Sequence, residues 1–332
     1  MSLDGKILNN ALACLHKRKA DRESELLGRC ERVYRQLPRV KQLDDQLRET
    51  MLDTIARALR TGGDPEAELE IIQQRNLGFQ EERRQVLESG GYTVDYLDDK
   101  PMCQRCGDAG FYRGAPCSCL METYKRLQTE ELSSLIKLGE ETFDTFRLDY
   151  YDNAVKDQAT GETPRANMEF NYELCYNYAH KFGENSMNLF LMGGTGLGKT
   201  FLSTCIAKVV SDKGYSVVYD TAANVFSKFE AEKFSRSYGD EHRRDETERY
   251  LKCDLLILDD LGTEMTTSFV VSALYSLINS RLISGRKTII SSNITLEELR
   301  RKYSDQIMSR LEGEYTILSF YGQDIRRLKK NL

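Results

Sequence analysis

One octapeptide limits the fold of this chain more than any other stretch. Gly193-Gly194-Thr195-Gly196-Leu197-Gly198-Lys199-Thr200 fits G-x-x-x-x-G-K-[ST]. The apolar run Asn188-Leu189-Phe190-Leu191-Met192 before it reads as a buried strand, and the run from Phe201 to Val210 after it reads as a helix. Strand, glycine loop and helix in that order let backbone N–H groups turn inward around a polyphosphate, and the helix N-terminus adds the positive end of its dipole. Lys199 is expected to reach the outer phosphates, and the Thr200 hydroxyl is expected to hold Mg²⁺. A dinucleotide-binding fingerprint fails here, because after Gly194 and Gly196 the third glycine slot falls on Lys199.

With 332 residues the chain has room for more than one domain. Its net charge of -5 gives no global attraction for nucleic acid, so any such contact needs a local basic patch. No apolar run approaches the ~20 residues of a membrane span. The N-terminus Met1-Ser2-Leu3-Asp4-Gly5-Lys6 lacks a signal-peptide core, so a cytoplasmic protein without membrane partners is expected. In that compartment nine cysteines point to metal binding or buried thiols, not to disulfides.

Four regions are expected: a helical front (1–92), a cysteine knuckle (93–125), a linking segment (126–185) and an α/β domain (186–332). In the front, Val40, Leu43, Leu47, Met51, Ile55 and Leu59 recur every three or four residues and make one apolar stripe. Gly62-Gly63 is expected to stop that helix. Asp64 and Pro65 are expected to cap and start the next, and Gly90-Gly91 to stop it. This front reads equally as a helical bundle or as a docking surface. In the knuckle, Cys103-x-x-Cys106 is followed by Cys117-x-Cys119, with Gly107, Gly110 and Gly114 between them for tight turns. Four thiolates suit a closed, structural Zn²⁺ site; an iron–sulfur cluster would use the same ligands, and the first pair alone would suit a redox couple. Cys14, Cys30, Cys175, Cys205 and Cys253 read as small apolar residues.

Strands are expected at 188–192, 216–220, 254–259, 286–291 and 315–320. The intervening helical stretches imply a parallel sheet covered on both faces. Residues 152–168 read as a loop. Thr295-Leu296-Glu297-Glu298 reads as a capping box opening a helix. Leu255-Leu256-Ile257-Leu258-Asp259-Asp260 is a strand ending in two acids, expected mid-sheet beside the phosphate loop. Asp259 is positioned to hold Mg²⁺ and Asp260 to polarise an attacking water. Asn293, ending Ser291-Ser292-Asn293, stands where a group sensing the outer phosphate would lie.

The loop at 193–200, Leu258-Asp259-Asp260-Leu261-Gly262, Ser291-Ser292-Asn293, and the late arginines Arg310 and Arg326 together resemble the AAA+ ATPases. More narrowly, residues from about 140 to 332 resemble the DnaC/DnaI helicase loaders and their transposition relative IstB. The resemblance implies a P-loop core with a five-stranded parallel sheet and no C-terminal lid domain. It implies ATP as substrate, and head-to-tail self-assembly with shared ATP sites. It assigns Arg310 as a finger into the neighbouring subunit's site and Arg326 as a second sensor on its own. Members often carry Glu as the second acid, where this chain has Asp260. The family also binds single-stranded DNA, which by alignment implicates Phe234, Thr267 and Phe269; spacing alone makes the two phenylalanines core residues of amphipathic helices. Phe143, Phe146, Tyr150 and Tyr151 lie where the family packs a segment near adenine. The implied function is loading of a DnaB-type replicative helicase. An IstB-like transposase helper and a nucleotide-gated switch with negligible turnover are the alternatives.

Overall fold

The structure is a computed structural model. It describes residues 3–58, 65–136, 141–157, 161–234 and 241–330, with side chains left out at 51–58, 65–75, 133–136, 234, 241–246 and 329–330. Three helices lead: α1 (Gly5–Gln36), α2 (Pro38–Ala58) and α3 (Pro65–Ser89). A hairpin of β1 (Phe111–Tyr112) and β2 (Ala115–Pro116) precedes α4 (Ser118–Ile136) and α5 (Pro164–His180). Strands and helices then alternate through β3 (Asn188–Gly193), α6 (Lys199–Asp212), β4 (Val217–Thr221), α7 (Ala222–Phe234), α8 (Glu241–Lys252), β5 (Leu255–Leu261), α9 (Ser268–Ile283), β6 (Lys287–Ser292), α10 (Leu296–Lys302), α11 (Asp305–Glu314), β7 (Tyr315–Phe320) and α12 (Ile325–Lys330). Among the described residues, no helix is long and apolar enough to cross a membrane.

The chain divides into two compact units, one of residues 13–119 and one of residues 1–12 with 120–332. In the first, Val33, Val40, Leu87 and Leu97 form a small buried core, with Leu37 and Tyr96 against it. Helix α3 ends at Ser89, and Gly91 follows with φ +81°, a left-handed stop that glycine takes without strain. Leu59, Gly62, Gly63 and Asp64 lie outside the described residues.

The second unit is built on a parallel five-stranded sheet in the order β4-β5-β6-β3-β7. Successive strand residues face opposite sides, so a sheet covered twice needs apolar residues at every position. Along β3, Leu189 and Leu191 join the core under α5 and α6, while Phe190 joins the core under α7, α8, α9 and α11. All three are fully buried, each worth ~1.5–3 kcal/mol of transfer free energy.

The acid-bearing β5 runs between β4 and β6, so β6 separates it from β3, and Thr200 at the start of α6 reaches across to Asp259 at 3.2 Å. One expectation needs correction. Residues 164–168 are helix, not loop: Thr163 accepts the Ala166 N–H as N-cap, and Pro164 takes the first helical position, where its missing N–H costs nothing. The expected Thr295–Glu298 capping box forms in both directions.

Candidate functional site

The phosphate loop turns on three glycines whose backbone strains any other residue. Gly193, Gly196 and Gly198 have φ of +151°, +74° and +97°. Gly193 is paired with Phe320 on β7, and an added Cβ would strike the Phe320 carbonyl oxygen. We expect Gly193→Ala to cost roughly 3 kcal/mol, from left-handed strain and the shift of β7. Thermal unfolding against the parent checks this.

The loop opens onto a cavity of about 250 Å³ lined by Thr195 through Thr200, Asp260, Asn293 and Arg326 from the α/β elements. Phe146, Tyr150 and Tyr151 line it from the segment ahead of α5. Phe143 does not: it is buried against Tyr172 and Tyr176. Tyr151 donates to the Leu197 carbonyl at 3.0 Å, fastening that segment to the loop, and Phe146 stacks on both Tyr151 and Tyr172. The Ile325 N–H donates to the Gly196 carbonyl at 3.0 Å, so the start of α12 is tied to the loop as well.

Lys199 is buried, and its ammonium donates to the carbonyls of Gly193 and Gly194 and to Asn293 Oδ1, at 2.7, 2.7 and 2.6 Å. Burial pulls its pKa down to about 8, against the opposing pull of Asp260 and Asp259. Asn293 Nδ2 in turn donates to Asp260 Oδ1 at 2.7 Å. Lys199, Asn293 and Asp260 thus form one hydrogen-bonded chain. A register shift in the β5–β6 ladder between Leu258 and Leu261 accompanies a left-handed Asp260, φ +56°. Aspartate tolerates that backbone better than most residues.

Asp259 is buried and accepts from Thr200 Oγ1 at 3.2 Å and from Tyr219 Oη at 2.7 Å, with a third hydrogen bond from Ser291 Oγ. Tyr219 and Ser291 were not assigned from sequence. Burial and the Asp259 charge hold the Tyr219 hydroxyl protonated, so it stays a donor. A polar ring within the apolar strand at 217–221 was the available signal.

Arg310 stands apart from this cavity. Its guanidinium bonds Asn279 Oδ1 and Tyr275 Oη, both at 2.9 Å, and lies 4.5 Å from the Tyr275 ring centre. Arg326 lines the cavity; its neighbour Arg327 instead pairs with Asp324 at 3.8 Å. Thr267 caps α9 by accepting the Val270 N–H. Phe269 is half-buried against the core, with Lys233 Nζ 4.9 Å from its ring centre. Phe234 ends α7, and its side chain lies outside those described.

In the other unit, the Sγ atoms of Cys103, Cys106, Cys117 and Cys119 all lie within 4.8 Å of one another, with two pairs at 3.7 and 3.4 Å. The edge of a ZnS₄ tetrahedron with Zn–S of ~2.3 Å is ~3.8 Å, so the set fits one central ion. These distances exclude a formed disulfide. The backbone N–H of Cys119 bonds the Cys117 sulfur and brings the Cys117 pKa down to about 7, while burial pushes the Cys119 thiol up. Asp108, fully buried, accepts the N–H of Cys103 at 2.8 Å and pairs with Arg22, fixing the first turn of the knuckle.

Residues 176–330 match the family model described as "IstB-like ATP binding protein". The replicative helicase loader DnaC of Buchnera aphidicola is 24% identical over 45% of this chain and 61% of its own length. An ATP-binding protein of a Mycobacterium tuberculosis insertion sequence is 30% identical over 32% of this chain and 40% of its own. The alignments thus span less than two thirds of either relative. A solved DnaC helicase loader covers 55% of this chain and 97% of its own, with 18% identity and a TM-score of 0.43.

Proposed function

We propose that this protein is an ATP-hydrolysing loader of a replicative DNA helicase, a reading supported by the match of residues 176–330 to the IstB-like ATP-binding model. The carrying observation for the chemistry is the hydrogen-bonded chain Lys199–Asn293–Asp260 beside Asp259 and Thr200. In this reading the loop amides and Lys199 grip the outer phosphates of ATP. Thr200 and Asp259 hold Mg²⁺, which neutralises phosphate charge when bound. Asp260, aimed by Asn293, orients the attacking water, and Arg326 contacts the nucleotide of its own subunit. Phe146, Tyr150 and Tyr151 offer the rings for the base. Arg310, remote from its own cavity, serves the site of the next copy in a head-to-tail assembly.

The unit of residues 13–119 adds to the ATPase a separate body of helices with a cysteine cluster that could hold one metal ion. We assign it to gripping a DnaB-type helicase. Phe234, Thr267 and Phe269 remain proposed contacts for single-stranded DNA in the ATPase unit. Size-exclusion chromatography of the full chain with the host's DnaB-type helicase and ATP is expected to give a joint complex. A complex with a co-encoded transposase instead would turn the assignment to the helper function. A separate check concerns the metal. The parent is expected to carry about one zinc per chain by elemental analysis, and Cys103→Ser to lose it, since three thiolates no longer close the site.

A further inference from the structure

The hairpin inside the knuckle exposes aromatic surface that no core uses. Its strands pair Phe111 with Pro116 and Tyr112 with Ala115, leaving Arg113–Gly114 as a two-residue turn. All four strand residues are exposed, Phe111 at 44% and Tyr112 at 36%. Adjacent strand residues face opposite sides, so the ribbon presents one ring on each side. The guanidiniums of Arg105 and Arg113 lie 5.0 and 5.4 Å from the Tyr112 ring centre. Two like charges share that ring, and neither is in an ion pair among the described residues. Asp108, the acid of this loop, is buried and engaged with Arg22 and Cys103, so it does not neutralise them. Arg113 also sits at φ +51° beside Gly114 at +78°, a turn in which Asn-Gly would rest with less strain. Stability alone does not select arginine there.

We propose that this ribbon binds single-stranded nucleic acid, with Phe111 and Tyr112 stacking on unpaired bases and Arg105 and Arg113 contacting phosphates. Rings stack on any exposed base, and guanidiniums answer the backbone charge. The site lies in residues 105–113 and is distinct from the contacts proposed in the ATPase unit. It does not rest on the loader reading.

The test is fluorescence anisotropy of the full-length, zinc-loaded protein with a labelled oligo-dT of about 20 nucleotides, across salt concentrations and without ATP. Combining Arg105→Ala with Arg113→Ala is expected to weaken binding about tenfold and to make the log–log salt slope shallower by about 1.4, which is two contacts at ~0.7 each. Tyr112→Ala is expected to weaken binding about tenfold with the slope unchanged. Arg113→Asn relieves the turn, so it should unfold at a higher temperature than the parent and still bind more weakly; this separates binding from folding. Oligo-U in place of oligo-dT distinguishes RNA from DNA as the strand held. All effects should persist in a Lys199→Ala background, which keeps this test separate from any failure of the ATPase reading. Parental affinity and slope in these variants, at parental zinc content, would overturn the proposal, even if a protein partner were lost.

Discussion

Lys199→Ala is expected to abolish ATP binding while leaving the domain folded. In the parent, three acceptors hold the ammonium at the mouth of the phosphate loop, two of them carbonyls of the loop itself. Transferred to a polyphosphate, its charge-assisted hydrogen bonds at ~1.5–3 kcal/mol each amount to roughly 10²–10⁴ in affinity for two of them. Titration calorimetry with ATP measures this directly; an affinity equal to the parent's would mean that the loop is not the phosphate site. A pH series adds a signed test. Burial lowers the Lys199 pKa to about 8, and a bound polyanion favours the charged form. Affinity should therefore be complete below about pH 8 and decline above it, with protons taken up on binding near that pH. Affinity that rose above pH 8 would contradict the assignment.

Arg310→Ala is expected to leave ATP affinity within about twofold and to reduce turnover by roughly 10³, the lower range for an arginine finger. Arg310 does not line its own cavity, so its removal should not disturb nucleotide binding in the same copy. It does hold Asn279 and Tyr275, so circular dichroism and melting temperature must accompany the kinetics. Single-turnover hydrolysis at saturating ATP reads the chemical step apart from binding. A large loss of ATP affinity in this variant would place Arg310 in its own subunit's site.

The α/β unit was legible because its signals are local. Strand positions apolar on both faces, glycines at positive φ and a capping box each act over a few residues, and the five strands lie within two residues of their expected ends. What escaped depends on neighbours remote in sequence. Tyr219 reads as an ordinary strand aromatic until β4 pairs with β5 and brings its hydroxyl to Asp259. Arg281 is fully buried, donating to the carbonyls of Tyr250, Cys253 and Lys287 and to Thr288 Oγ1, and so ties α9 to the ends of α8 and β6. A partner for each of its three nitrogens is what permits that burial. Pro164 suggests a break in the chain and is a helix start, because Thr163 before it supplies the N-cap. Lateral strand order was not legible either: apolarity on both faces says that β5 is central, not which strand lies beside it.

The central claim is that ATP held by the loop at Gly193 is hydrolysed with an arginine supplied by the adjacent copy. Mixing equal amounts of Lys199→Ala and Arg310→Ala protein tests it most directly. Each alone should be nearly inactive, yet random head-to-tail assembly makes about a quarter of the interfaces complete, with an intact loop facing an intact finger. Steady-state ATPase of the mixture should therefore recover to about a quarter of the parent's rate at the same total concentration. A mixture no more active than the sum of its two parts would contradict the account.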